Sequence, residues 1–338
     1  MKKLSFLLFG LILLLAACGG GNSNSSSNEP TESTNGSNGE EATEETKTYK
    51  VGTTQIVEHP SLDAATQGFK DAIKDSGLTV EFVDNNAQND QSMNVTIAQD
   101  LVSQNVDLIF ANSTPSAQAA KNATGDIPII FTSVTDPVSA ELVSSMEAPG
   151  ANVTGTVDLH PDTIEKTVNF IVDELGITKV GTVYNTGEQN SVVQVDQVRE
   201  QLEAKGGQLE EAAVTTSAEV KQATESLLGK VDAIYIITDN TVVSALPTVV
   251  DVANTNQLPL IVGELDSVAG GGLAAFGFSY YDIGYEAGEM AVKILKGEAT
   301  PSDIPAAYPA NLKLVVNKNT ADTIGVEIKD SWNAEVVE

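Results

Sequence analysis

Asp239 closes the apolar run VDAIYIIT (231–238), a carboxylate placed where the chain leaves a buried strand. Such a group can pair with a cation, and the pairing strengthens as water is excluded. Donors for an anion come in two segments, ANSTPS (111–116) with Ser113 and Thr114, and QNSVVQ (189–194) with Asn190 and Ser191. Both read as helix starts, Thr114 as an N-cap with Pro115 behind it, and backbone N–H groups at such starts hold negative charge without an arginine. The chain has one arginine, Arg199, inside the helical pattern SVVQVDQVREQLEAKG, so an arginine clamp is not expected. Gln55, Thr135, Asn185 and Glu264 are further polar candidates, and His59, Pro60, Tyr184 and Phe278 offer flat surface to an aromatic ring. Thr114, Asn190, Ser191 and Asp239 read equally well as ordinary helix caps, and residue type alone does not separate the two.

Catalysis finds less support. The two histidines, His59 and His160, each precede proline and have no recognisable nucleophile or HExxH partner. GGGLAA (270–275) has the spacing of a dinucleotide loop but precedes an apolar run instead of linking strand to helix, and there is no GxxxxGK[ST]. No catalytic residue, cofactor or metal is expected.

The turns that hold these candidates follow short apolar runs. Strands are expected at 49–56, 79–84, 106–113, 127–133, 179–185, 231–238, 258–263 and 312–317, continuous enough in apolar character to be covered on both faces. Between them lie amphipathic patterns such as TIEKTVNFIVDELG, with Ile164, Val168, Ile171, Val172 and Leu175 on one face and Gly176 as its stop. This alternation predicts an α/β fold with parallel sheets. The order also repeats. KVGT occurs at 50–53 and 179–182, VDLIFANSTPSAQAA is echoed by VDAIYIITDNTVVSA, and IPIIFTSVTDPV by LPLIVGELDSV. Two Rossmann-like lobes of one topology follow, with ligands expected where the carboxyl ends of their strands face each other.

The N-terminus is a separate matter. Lys2 and Lys3 precede the apolar LSFLLFGLILLLAA, too short to span a membrane, and the single cysteine, Cys18, follows Leu15, Ala16 and Ala17. The segment resembles a bacterial lipoprotein signal, which implies cleavage before Cys18 and lipidation of its thiol. Residues 18–46, rich in Gly, Ser, Asn, Thr and Glu, are expected to be a disordered acidic tether. With 47 acidic against 18 basic residues the net charge is −29, which disfavours nucleic acid and anionic lipid headgroups.

The paired lobes, the Leu-Ala-Ala-Cys box and the segments QIVEHPSLDAATQGFKDAI, TSVTDPVSAELV, TDNTVVSA and SYYDIGYEAGEMAVKILKGE resemble ABC-transporter solute-binding lipoproteins of the tryptophan/tyrosine-binding type. The resemblance implies a type I periplasmic binding fold, with lobe I at 47–156 plus 280–311 and lobe II at 157–279 plus 312–338. It implies an extracytoplasmic, lipid-anchored monomer that captures an amino acid and hands it to an ABC permease and its ATPase. A tethered sensor or co-receptor using the same cleft is the alternative. For an amino-acid ligand, Asp239 is expected to meet the ammonium, and the donors near Thr114 and Ser191 the carboxylate.

Overall fold

The computed structural model describes residues 47–338; the expected signal peptide (1–17), Cys18 and the tether (18–46) lie outside the described residues. The first sheet consists of β1 (Thr48–Gln55), β2 (Thr79–Asn86), β3 (Leu108–Asn112), β4 (Ile129–Val134) and β5 (Val153–Val157), in the order β2-β1-β3-β4-β5, all parallel. The second holds β6 (Lys179–Asn185), β7 (Gln208–Val214), β8 (Ala233–Ile236), β9 (Leu260–Val262), β10 (Ala274–Gly277), β11 (Lys313–Asn317) and β12 (Glu335–Val337). Its order is β12-β11-β10-β9-β8-β6-β7, parallel except for the β10–β11 pair. Read from β7 to β10, this sheet repeats the order of the first.

The KVGT echo has a packing reason. A Cβ on Gly52 in β1 would stand 2.6 Å from Leu101 Cδ2, and one on Gly181 in β6 would stand 3.0 Å from Leu227 Cδ1. In each lobe glycine lets a leucine lie directly on the opening strand. Side chains alternate between two apolar layers: in the first sheet Ile109, Ile129 and Phe131 face one layer while Leu108, Phe110 and Ile130 face the other. In β8, Ile234 and Ile236 face one layer and Tyr235 the other. Central strands buried on both faces explain the continuous apolar runs.

All eight expected strands are present, and four more accompany them. β5 (VTGTV), β10 (AAFG) and β12 (EVV) are short, and β7 (QLEEAAV) is an edge strand with exposed glutamates, so none carries a long apolar signal. β2, also at an edge, is not covered on both faces. The helix expected around Ile164–Leu175 is α-helical only over Thr163–Asn169. It then widens into a π-turn at Phe170–Glu174, before Gly176 turns with φ 72°.

The chain passes between the lobes after β5, after β10 and before β11. The helix Tyr280–Leu295, which follows the second passage, packs on the helix Pro60–Asp75. They meet backbone to backbone: a Cβ on Gly284 would lie 1.9 Å from the Ala65 carbonyl oxygen, and one on Gly68 2.1 Å from that of Tyr281. No helix among the described residues is long and apolar enough to cross a membrane.

Candidate functional site

The carboxyl ends of β1, β3 and β4 face those of β6, β8 and β9, and side chains bond across the gap. Ser61 Oγ donates to Asp266 Oδ2 at 2.9 Å, Asn89 Nδ2 to Thr241 Oγ1 at 2.9 Å and Gln194 Nε2 to Thr135 Oγ1 at 3.2 Å. His59 Nε2 lies 3.5 Å from Asn240 Oδ1. The cleft is therefore closed. At the crossovers, Asp158 accepts from Tyr280 OH at 2.9 Å and from Thr135 Oγ1 at 3.1 Å, which ties two passages of the chain to the end of β4.

Four carboxyl groups are buried among the described residues, Asp158, Glu188, Asp239 and Glu264, and all four lie at this cleft. No lysine or arginine is buried with them, and none of the ten described ion pairs includes them. Buried charge without a counter-ion is costly, so Asp158, Asp239 and Glu264 shift toward their neutral forms. Burial pushes Glu264 up to about 7, against the bond from Ser267, and Asp158 up to about 6, against those from Tyr280 and Thr135. Burial and then the nearby Glu188 push Asp239 up as well. His59, buried too, is lowered to about 4 and is neutral at physiological pH.

The four acids are not equivalent. Asp239 caps the helix Asn240–Val243: Oδ1 accepts from the Val242 N–H at 2.8 Å, and Oδ2 from the Asn185 N–H and Ser191 Oγ, both at 2.7 Å. It has no exposed surface, and both oxygens accept bonds from its own lobe, which joins three turns. Glu188 likewise accepts from the Thr241 N–H at 3.1 Å, Thr241 Oγ1 at 2.8 Å and Asn240 Nδ2 at 2.5 Å. Glu264 is less engaged, accepting from Ser267 Oγ at 2.8 Å.

The opposite wall is built of hydroxyls in strained turns. Ser113, at the end of β3, holds φ 113° and ψ 158°, a region that side chains rarely enter, and Ser133, beside a register shift at the end of β4, has φ 54°. Strain of about 1–3 kcal/mol per residue is retained where the surroundings over-determine it, commonly at binding sites. Ser113, not Thr114, is the N-cap of the helix Thr114–Ala123, accepting from the Ser116 N–H; Thr114 is one residue inside. Thr114 Oγ1, Ser133 Oγ and Asn94 Nδ2 are buried without a hydrogen-bond partner, and so are Asn190 Oδ1 in the second lobe and His59 Nδ1. Buried polar atoms are nearly always bonded, so those at the cleft are open to the hydrogen bonds of a ligand.

The structure thus brings together His59, Ser113, Thr114, Thr135, Asn185, Asn190, Ser191, Asp239 and Glu264 of the expected residues. Gln55 is turned away: its amide bonds to Val57, Asp63, Thr66 and Asn112 inside the first lobe, beside a separate recess of about 350 Å³. Tyr184 also departs, because alternation along β6 sends Asn185 to the cleft and Tyr184 outward, where its hydroxyl donates to Glu211. Pro60 is exposed, and Phe278 stacks on Tyr280 with ring centroids 5.7 Å apart. Reading by sequence missed Glu188, Asp158, Asn94 and Ser133. Glu188 sits in the YNTGEQNS turn and was findable as an acid opening a helix; Asp158 follows β5, a strand with no signal. Among the described residues no group of three or more His, Cys, Asp or Glu is placed to hold a metal ion.

Residues 50–337 match the family model of ABC transporter substrate binding proteins. The chain is 40% identical over 343 residues to the tyrosine-binding protein of Clostridioides difficile (strain R20291), covering 99% of this chain and 96% of the relative. A solved domain from Streptococcus pneumonia in complex with L-Trp is 34% identical, with a TM-score of 0.81 over 86% of this chain and 100% of the other. A ligand-free, open substrate-binding protein from Clostridium difficile is more similar in sequence, 42%, yet its TM-score is 0.64 over 86% and 99% of the two chains. That protein is open, whereas the bonds between the lobes close the cleft here. The fold is that of the type I periplasmic binding proteins, and the chain belongs to the family of ABC transporter substrate-binding proteins, which work outside the cytoplasm.

Proposed function

We propose that the cleft captures a free aromatic L-amino acid and that the protein delivers it to an ABC permease and its ATPase, held to the membrane as a monomer through a lipid on Cys18. The observation that carries this reading is the pairing of buried acids that lack a counter-ion with unpartnered donors on the facing wall. A zwitterion suits both. Its ammonium meets Glu264, whose charge it restores, and its carboxylate sits at the start of the helix Thr114–Ala123, on Thr114 and Ser133. Asp239, Ser191 and Asn185 hold the turns of the second lobe rather than the ligand. The aromatic class is supported by the tyrosine named for one relative and the L-Trp bound to another.

The lobes take residues 47–156 with 280–311 and 157–279 with 312–338, and they close about the crossovers. Calorimetric titration with tyrosine and tryptophan, beside their decarboxylated amines, tests the reading, with small-angle scattering for closure. The amino acids should bind and compact the protein, and the amines should bind far more weakly. Amines binding as tightly as amino acids would remove the carboxylate assignment, and no binding by any of them would remove the ligand class.

A further inference from the structure

Asp158, Thr135, Gln194 and Thr238 form one chain of hydrogen bonds from the crossovers through the end of β4 into the second lobe, and its direction is fixed at both ends. Asp158, pushed up to about 6 by burial, is a carboxylate at pH 8 and only accepts. The Thr135 hydroxyl therefore donates its proton to Asp158 Oδ1 at 3.1 Å and keeps a lone pair for the facing lobe. At the far end the Thr238 N–H only donates. It bonds Gln194 Oε1 at 3.4 Å, which leaves Gln194 Nε2 to donate to Thr238 Oγ1 at 2.6 Å and, across the gap, to Thr135 Oγ1 at 3.2 Å. All four side chains are buried, so a mismatch of donors in the chain is costly.

We propose that Asp158 is a positioning residue for closure: it holds Thr135 as an acceptor before the lobes meet, so that Gln194 latches onto it and slows the release of a bound ligand. Asp158 is carried by the first lobe. Its N–H donates to the Val134 carbonyl at 3.1 Å, and its carboxylate accepts from Thr135, at the end of β4, and from Tyr280, which opens the helix packed on Pro60–Asp75. None of these bonds crosses the gap. The link that crosses it is Gln194 to Thr135, so closing adds a partner to Thr135 and finds its lone pair already aimed.

Asp158→Asn keeps the shape and changes the polarity, because an amide offers one acceptor to two hydroxyls. The phenol of Tyr280 is the more acidic donor and makes the shorter bond, 2.9 Å, so it keeps the amide oxygen. The amide N–H then faces Thr135 and turns its proton toward Gln194, donor against donor. Stopped-flow release of tyrosine and tryptophan at pH 8 tests this on wild type, Asp158→Asn, Gln194→Met and the double variant. Each single change should speed release about 5- to 10-fold, and the double variant should release no faster than the faster single, since both break one link. Adding Tyr280→Phe to Asp158→Asn frees the amide oxygen for Thr135 and should bring release back to within about twofold of wild type. If Asp158→Asn does not fold, Thr135→Val, which removes the relayed hydroxyl, takes its place in the cycle. Were Asp158 only a buried charge that opposes closure, Asp158→Asn would slow release, and that result overturns the latch. So do multiplied effects in the double variant. If neither amino acid binds wild type, the amino-acid reading falls and the latch with it, whereas binding with equal release rates in all variants overturns the latch alone.

Discussion

Glu264→Gln should make the empty protein more stable and the binding protein worse. Burial raises the Glu264 carboxyl from its ordinary 4.5 to about 7, so its charged form is disfavoured in the fold by about 3 kcal/mol, at 1.36 kcal/mol per tenfold change in acidity. The folded state keeps this proton at pH values where the unfolded chain has lost it. Stability from this group is therefore full below 4.5 and declines as pH rises toward 7. Glutamine keeps an acceptor for Ser267 and never carries the charge. At pH 7.5 the variant should melt roughly 5 °C above wild type, at about 2 °C per kcal/mol for a chain of this size. Binding should move the other way, since an ammonium that loses a buried carboxylate partner loses about 2 kcal/mol or more, at least ~30-fold in affinity. Wild-type affinity should also weaken as pH falls below about 7, because the ligand then competes with a proton. Differential scanning calorimetry of the empty proteins and titration with the bound amino acid measure both arms. A variant that melts below wild type at pH 7.5, or binds as tightly, refutes the assignment of Glu264.

Asp239→Ala should act oppositely on stability: it strands the N–H groups of Asn185 and Val242 and the hydroxyl of Ser191, at about 2–4 kcal/mol together, read as a lower melting temperature, and an unchanged melt would show that Asp239 is not the tie described. Gly284→Ala places a methyl 1.9 Å from the Ala65 carbonyl oxygen and should cost about 3 kcal/mol or more by forcing the two helices apart; denaturant unfolding at wild-type stability would contradict that packing. Cys18→Ala should release the protein from membranes, and a variant that fractionates with membranes as fully as wild type would disprove the anchor.

The parts of the fold legible in sequence are those buried on both faces. Strands such as β3 and β4 present unbroken apolar runs because helices cover both sides of the sheet, and the two lobes announce each other because KVGT marks the same packing demand twice, a glycine beneath a leucine. β7 was invisible because an edge strand exposes its glutamates, and β5 because five residues of Val, Thr and Gly carry little periodicity. Missing β5 also hid Asp158, which stands just beyond its end. At the site, residue type located the turns but not the direction of their side chains. Tyr184 and Asn185 are neighbours on one strand and face opposite ways. Asp239 and Glu264 are both acids after strands of the second lobe, yet one is consumed by three donors of its own lobe and the other is less engaged; only the positions of Asn185, Ser191 and Val242 decide that.

Closure and charge are connected in this cleft. The bonds of Ser61 to Asp266, Asn89 to Thr241 and Gln194 to Thr135 favour the closed arrangement whether or not a ligand is bound. Each replaces bonds to water and contributes only about 1 kcal/mol. Against them stand Asp158 and Glu264, which are buried in this closed arrangement with no cation beside them. A ligand shifts the equilibrium only by the difference in its affinity for the two states. A ligand ammonium supplies that difference directly, since it turns the buried Glu264 from a liability of the closed state into its best electrostatic contact. A neutral solute of the same shape would occupy the same space and leave that carboxyl uncompensated. On the proposed reading, selection for an amino-acid head group is therefore built into the closing motion.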